Sequence, residues 1–274
     1  MSSFRTDTTV FGKAAVTPTT TRTVTISSFP GTENPAIQNG IWTNGAATGV
    51  NWSNMQITGG IICGTQAAGS FDGHYCDSAA LLTGYGTWNS NQEVEAVVKS
   101  INQVGGSNFC EVEIRLRCNV WALDFQGYEL LWRANHDGSQ YHQIGYWYGP
   151  IGINGGCALG CAFAGVPGSV NYNANGMEAS DNVADQAAGL VAWGTTTYGG
   201  IYDGDTVRAS IVGNRIRTYV VHNGTTVLLE DFNDTGATNG GALFTSGYPG
   251  LGHWNHSASA PTDFGFTSAI FREL

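Results

Sequence analysis

Short runs in which apolar and polar residues alternate, separated by glycine-bearing turns, dominate this chain from residue 92 onward. QEVEAVVKSI, FCEVEIRLRC, GYELLWRA, YHQIGYWYG, DTVRASIVG, RIRTYVVHNG and FTSAIFREL carry the pattern, with GGIICG, GLVAWG, TTVLLEDF and PGLGHW as shorter companions. Alternation with a period of two belongs to extended strands, whose successive side chains point to opposite faces. Gly105-Gly106, Asp137-Gly138, Gly213-Asn214, Asn223-Gly224 and Gly240-Gly241 supply turn dipeptides between them. No stretch persuades as a long helix. The class is all-β, and many strands with glycine-rich turns predict a sandwich or barrel.

The 274 residues suffice for one large β domain, and a hydrophobic share of 42% supports a full core. Charged residues are only 12%, about half the usual share. Solubility must then rest on Thr, Ser, Asn and Gly. A net charge of −10 leaves no basic face for displacing counterions from a duplex, so nucleic acid is excluded as a partner. No run of about 18 apolar residues exists to span a membrane. The opening MSSFRTDTTVFGKAAV lacks the apolar centre of a secretory signal. Either a signal has been removed ahead of this numbering or the protein leaves its cell by another route, such as lysis, which Met1 favours; an extracellular or virion-surface location is the expectation.

Residues 1–28 form an expected extended N-terminal arm, Thr-rich, with TTTRTVTISSF suited to adding a strand to its own sheet or a neighbour's. Residues 29–274 form the expected main domain, in which 167–190 is a long polar excursion. Cys110 and Cys118 sit about 26 Å apart along a straight strand, beyond disulfide reach, and read as buried thiols. Cys63 could bridge Cys76, and Cys157 could bridge Cys161.

GDTVRASIVGNRIRTYVVHNGTTVLLEDF, followed by GYPGLGHW and FGFTSAIFREL, resembles the end of a concanavalin A-like jelly roll. QEVEAVVKSI, CEVEIRLRC and GYELLWRA resemble that superfamily's central strands. It includes legume-type and laminin G-like lectin domains, family 16 type glucanases and several polysaccharide lyases. The likeness spans roughly residues 75–274. It implies a two-layer antiparallel β-sandwich with a lectin-like domain over 29–274, and says little of chemistry.

Glu111, Glu113, Arg115 and Arg117 share one face of CEVEIRLRC, opposite Val112, Ile114 and Leu116. Jelly-roll glucanases place carboxylates on one strand face, and a retaining pair needs them about 5 Å apart. Glu111 and Glu113 meet the spacing, yet Arg115 and Arg117 would hold them ionised and unable to donate a proton. A lyase needs a uronate-neutralising arginine and a proton-transferring histidine or tyrosine, for which Arg117, His142 and Tyr146 are the candidates. The alginate lyases of the resembled fold carry R-x-E-x-R, Q-I-H and Y-F-K-x-G motifs. EIRLR, QIG and the missing Y-F-K depart from all three.

Saccharide recognition asks for less: exposed aromatics to stack on, and polar side chains for hydroxyls. Glu113, Arg115, Arg117, His142, Tyr146 and Tyr148 are the expected carbohydrate contacts, on a charged ladder facing solvent. No cofactor is expected. Asp203 and Asp205 in YDGDTVR are the candidate calcium ligands, with turn formation the first reading of both. The expected function is a non-catalytic lectin-like module of a larger assembly such as a phage virion. It would hold glycan and touch neighbouring subunits through its arm. A polysaccharide lyase, less so a hydrolase, is the first alternative, and a purely structural subunit the second.

Overall fold

The computed structural model describes residues 21–45, 53–65, 78–102, 110–121, 124–133, 142–147, 192–193, 196–197, 201–234, 244–255 and 260–274. Their strands run in chain order as β1 (Thr23–Ile26), β2 (Trp42–Asn44), β3 (Met55–Thr58), β4 (Ile61–Gly64), β5 (Ser78–Leu82), β6 (Gln92–Ser100), β7 (Cys110–Trp121) and β8 (Asp124–Arg133). β9 (His142–Trp147), β10 (Ala192–Trp193), β11 (Thr196–Thr197), β12 (Thr206–Val212), β13 (Arg215–His222), β14 (Thr225–Asn233), β15 (Tyr248–Asn255) and β16 (Phe264–Glu273) follow. Among the described residues no helix is long and apolar enough to cross a membrane.

Two antiparallel sheets make a sandwich. An eight-stranded sheet runs β14-β13-β12-β6-β16-β4-β3, with β1 also paired to β16. A six-stranded sheet runs β2-β5-β15-β7-β8-β9. Val112, Ile114 and Leu116 of β7 enter one core cluster with Val94, Ala96 and Val98 of β6, as alternation requires. Each fully buried aliphatic side chain contributes roughly 1.5–3 kcal/mol. The expected strands are present, GLVAWG shrinking to Ala192–Trp193. β2, β3 and β5 escape sequence reading: they are three to five residues long, and β5 is buried throughout, which erases any alternation.

Gly213-Asn214 joins β12 to β13 and Asn223-Gly224 joins β13 to β14, with φ of +57° at Gly213, +48° at Asn223 and +76° at Gly224. Such angles are why Gly and Asn occupy these turns. The other three turn dipeptides and the excursion 167–190 lie outside the described residues. Within the arm segment, TVTI adds its strand to the chain's own sheet, from Thr23 opposite Arg272 to Ile26 opposite Ala269. Val24 and Ile26 thereby reach the core.

Cys110 and Cys118 are buried and in no disulfide, and burial pushes Cys118 up to about 12. The bridge from Cys63 to Cys76 is corrected: Cys63 is a buried free thiol, on β4, its pKa raised by burial to about 11. Cys76, Cys157 and Cys161 are outside the described residues.

Candidate functional site

The charged face of β7 is the first correction. Glu113 and Arg115 are 0% exposed, Arg117 2% and Glu111 4%, so the expected solvent-side ladder is enclosed. Cross-strand charge matching makes this tolerable. Arg115 stands opposite Glu129 in register, and Glu111 opposite Arg133. The Arg115 guanidinium donates to both Glu113 and Glu129 and lies 5.7 Å over the Phe125 ring. Alternation announces two unlike faces but not which one is wet. A charged face can be buried when its charges neutralise one another.

Arg117 departs from the ladder altogether. Pairing of β7 with β8 slips between Leu116 and Asn119, and Arg117 takes φ of +50° in the left-handed region. Its backbone N–H donates to Gln92 Oε1 at 2.9 Å. Its guanidinium donates to the carbonyls of Ser90 (2.6 Å), Phe244 (2.9 Å) and Gly213 (2.6 Å). Every nitrogen of the fork is thus engaged with main chain.

His142 belongs to the core. It pairs with Trp132 in register, is 0% exposed, and its ring sits 5.0 Å from the Trp132 ring. Among the described residues neither ring nitrogen has a hydrogen-bond partner, and burial pushes the pKa down to about 3. His253 of β15 is enclosed in the same way and falls to about 4. Tyr146 occupies the strand position opposite Tyr128. Tyr148 lies outside the described residues. The structure therefore does not bring Arg117 and His142 to a shared open groove.

The exposed polar chemistry lies elsewhere, at the start of β12 and the end of β13. Asp203 Oδ1 accepts the Ser100 N–H at 2.9 Å, and Asp205 Oδ2 accepts the Tyr202 N–H at 2.9 Å. Gly204 between them has φ of +85°, so the aspartates shape a turn. Asp205, 5% exposed, places its other oxygen 2.8 Å from His222 Nδ1. The Asn223 amide nitrogen lies 2.8 Å from His222 Nε2. An amide N–H donating to Nε2 leaves Nδ1 as the protonated nitrogen, which donates to Asp205. Over this fixed imidazole lies the Tyr202 ring, 4.7 Å away, tilted by 42°, and 44% exposed.

As calcium ligands the two aspartates are poorly free. Asp205 commits both oxygens to protein donors and Asp203 one. Among the described residues no three His, Cys, Asp or Glu side chains converge on one point.

The Tyr202–His222 cluster was not singled out from sequence, although a signal existed. Counting outward from the Gly213-Asn214 turn reaches Thr206 opposite Val221, and one more step sets Asp205 beside His222.

No family model matches the chain, and no curated protein matches it. Among solved structures, it is similar to carbohydrate-binding module CBM66 from Bacillus subtilis at 15% identity, covering 85% of this chain and 96% of that chain, with a TM-score of 0.43. It is similar to the VIP36 exoplasmic/lumenal domain in its Ca2+/Man3GlcNAc-bound form at 9% identity, covering 90% and 88%, with a TM-score of 0.49. A legume lectin-like domain from Entamoeba histolytica matches at 8% identity, covering 89% and 92%, with a TM-score of 0.41.

Proposed function

We propose that the chain is a non-catalytic, lectin-like carbohydrate-recognition module whose saccharide contact is the Tyr202–His222–Asn223 cluster. The observation that carries this reading is the exposed Tyr202 ring, backed by His222, itself held by buried Asp205. A sugar stacks its C–H face on such a ring, while the Asp203 carboxylate and Asn223 amide meet its hydroxyls. Because His222 is fixed on both nitrogens, the platform is preorganised and loses little entropy on binding. The module serves as a surface component of a larger assembly, such as a virion, with the N-terminal segment reaching neighbouring subunits.

A glycan array with the wild-type chain and Tyr202→Ala tests the reading. Binding of a defined glycan set, lost in Tyr202→Ala at unchanged melting temperature, is the expected result. Silence of the wild type on every glycan favours a purely structural subunit instead. The lyase alternative rests on Arg117, His142 and Tyr146, and the enclosure of the first two gives it no support. An ultraviolet assay for unsaturated product on uronate polymers is its direct check.

A further inference from the structure

The outer face of the eight-stranded sheet holds an arginine whose fork no described residue claims. Arg208 of β12 lies between Glu95 of β6 and Tyr219 of β13 in register. Its guanidinium carbon sits 4.1 Å over the Tyr219 ring. Among the described residues it has no carboxylate or carbonyl partner, and its Nε is covered without a hydrogen bond.

The neighbours explain why. Arg272, across β6 on β16, draws Glu93 to 2.6 Å and Glu95 to 3.6 Å, away from β12. On the other flank Asp231 is held by Arg215 and by Arg217 at 3.2 Å. Among the described residues, Glu93 and Glu95 on one flank of Arg208 and Asp231 on the other are thus engaged on their far sides. Beyond Tyr219 in register stands Leu228, 39% exposed, an apolar shelf continuing the row.

We infer that this row is a second saccharide site, for a carboxylate-bearing unit: a uronic acid. The planar fork matches a planar carboxylate with two parallel hydrogen bonds, and stacking on Tyr219 orients it in advance. The pyranose body then rests along Tyr219 and Leu228. Arg208, Arg215, Arg217, Arg272 and Lys99 against Glu93, Glu95 and Asp231 leave the face with two net positive charges in a chain of −10. That suits single carboxylates spaced along a polymer. The inference takes its ligand class from the saccharide reading but uses none of the Tyr202 cluster.

Calorimetric titration with an oligogalacturonate and with its methyl ester tests it, on wild type, Arg208→Gln, Arg208→Lys and Tyr202→Ala. The acid form binds wild type and the ester at least tenfold more weakly. Arg208→Gln loses tenfold or more at unchanged melting temperature. Arg208→Lys loses nearly as much, because an ammonium is a point charge without a fork. Tyr202→Ala binds the acid as wild type does. Equal affinity for acid and ester, full affinity in Arg208→Gln, or no binding by wild type overturns the inference. So does an Arg208-dependent dimer indifferent to uronate, which would give the face to a second copy. Neutral glycans bound through Tyr202 would leave the first reading standing in each case.

Discussion

A Cβ at residue 252 would fall 2.9 Å from Nε of Arg115, so Gly252 provides the space in which the buried guanidinium lies. The same Cβ would also strike the Glu113 carboxylate. Overpacking of this kind costs about 1–3 kcal/mol. Gly252→Ala is therefore expected to unfold at lower urea by that amount, and a midpoint equal to wild type would show the fit to be loose.

Arg115 compensates two enclosed carboxylates, Glu113 and Glu129. Arg115→Met leaves both without their shared cation, an imbalance that typically costs about 3–5 kcal/mol. Replacing all three with Gln, Met and Gln removes the charges together and should recover most of the loss. Denaturation of the single and triple variants separates charge imbalance from lost packing: if the triple variant is no better than the single, packing was the cause.

Acid should weaken the sandwich through its two core histidines. His142 and His253 are held neutral, at about 3 and about 4. The unfolded chain takes up protons at about 6.5, so stability from these groups is complete above that pH and falls as pH drops towards 4. At pH 5 the cost is about 2 kcal/mol per histidine. His142→Phe should remove one histidine's share of the drop between pH 7.5 and pH 5. An unchanged pH slope in that variant would refute the assignment.

Two N-terminal truncations should part company. Removal of residues 1–20 leaves β1 in place, whereas removal of 1–28 deletes a strand whose Val24 and Ile26 are each only 7% exposed. The shorter deletion should melt as wild type, and the longer several degrees lower. If the segment also joins neighbouring subunits, the shorter deletion loses assembly while keeping the fold, a result read by sedimentation.

How far the sequence could be read depended on how local each cause was. Val112, Ile114 and Leu116 were legible as core because alternation is a property of one strand. The burial of Glu113 and Arg115 was not, since Glu129 and Gly252, which accommodate them, come from other strands. Arg117 lost its predicted side through a slip in pairing, beside Gly247, whose own Cβ would collide with the Arg117 backbone. The wet charged ladder does exist, on β6 and β16, where Glu93, Glu95 and Arg272 alternate with core residues. Its pattern in QEVEAVVKS matches that of CEVEIRLRC, which is why pattern alone could not choose between them.

The guanidinium of Arg117 recognises carbonyl oxygens from three separate stretches of chain. Its partners at 90 and 244 are accordingly free to change identity over evolutionary time without loosening it. The arginine itself has no such liberty. Among diverged descendants of this sequence, position 117 should outlast the residues it ties together.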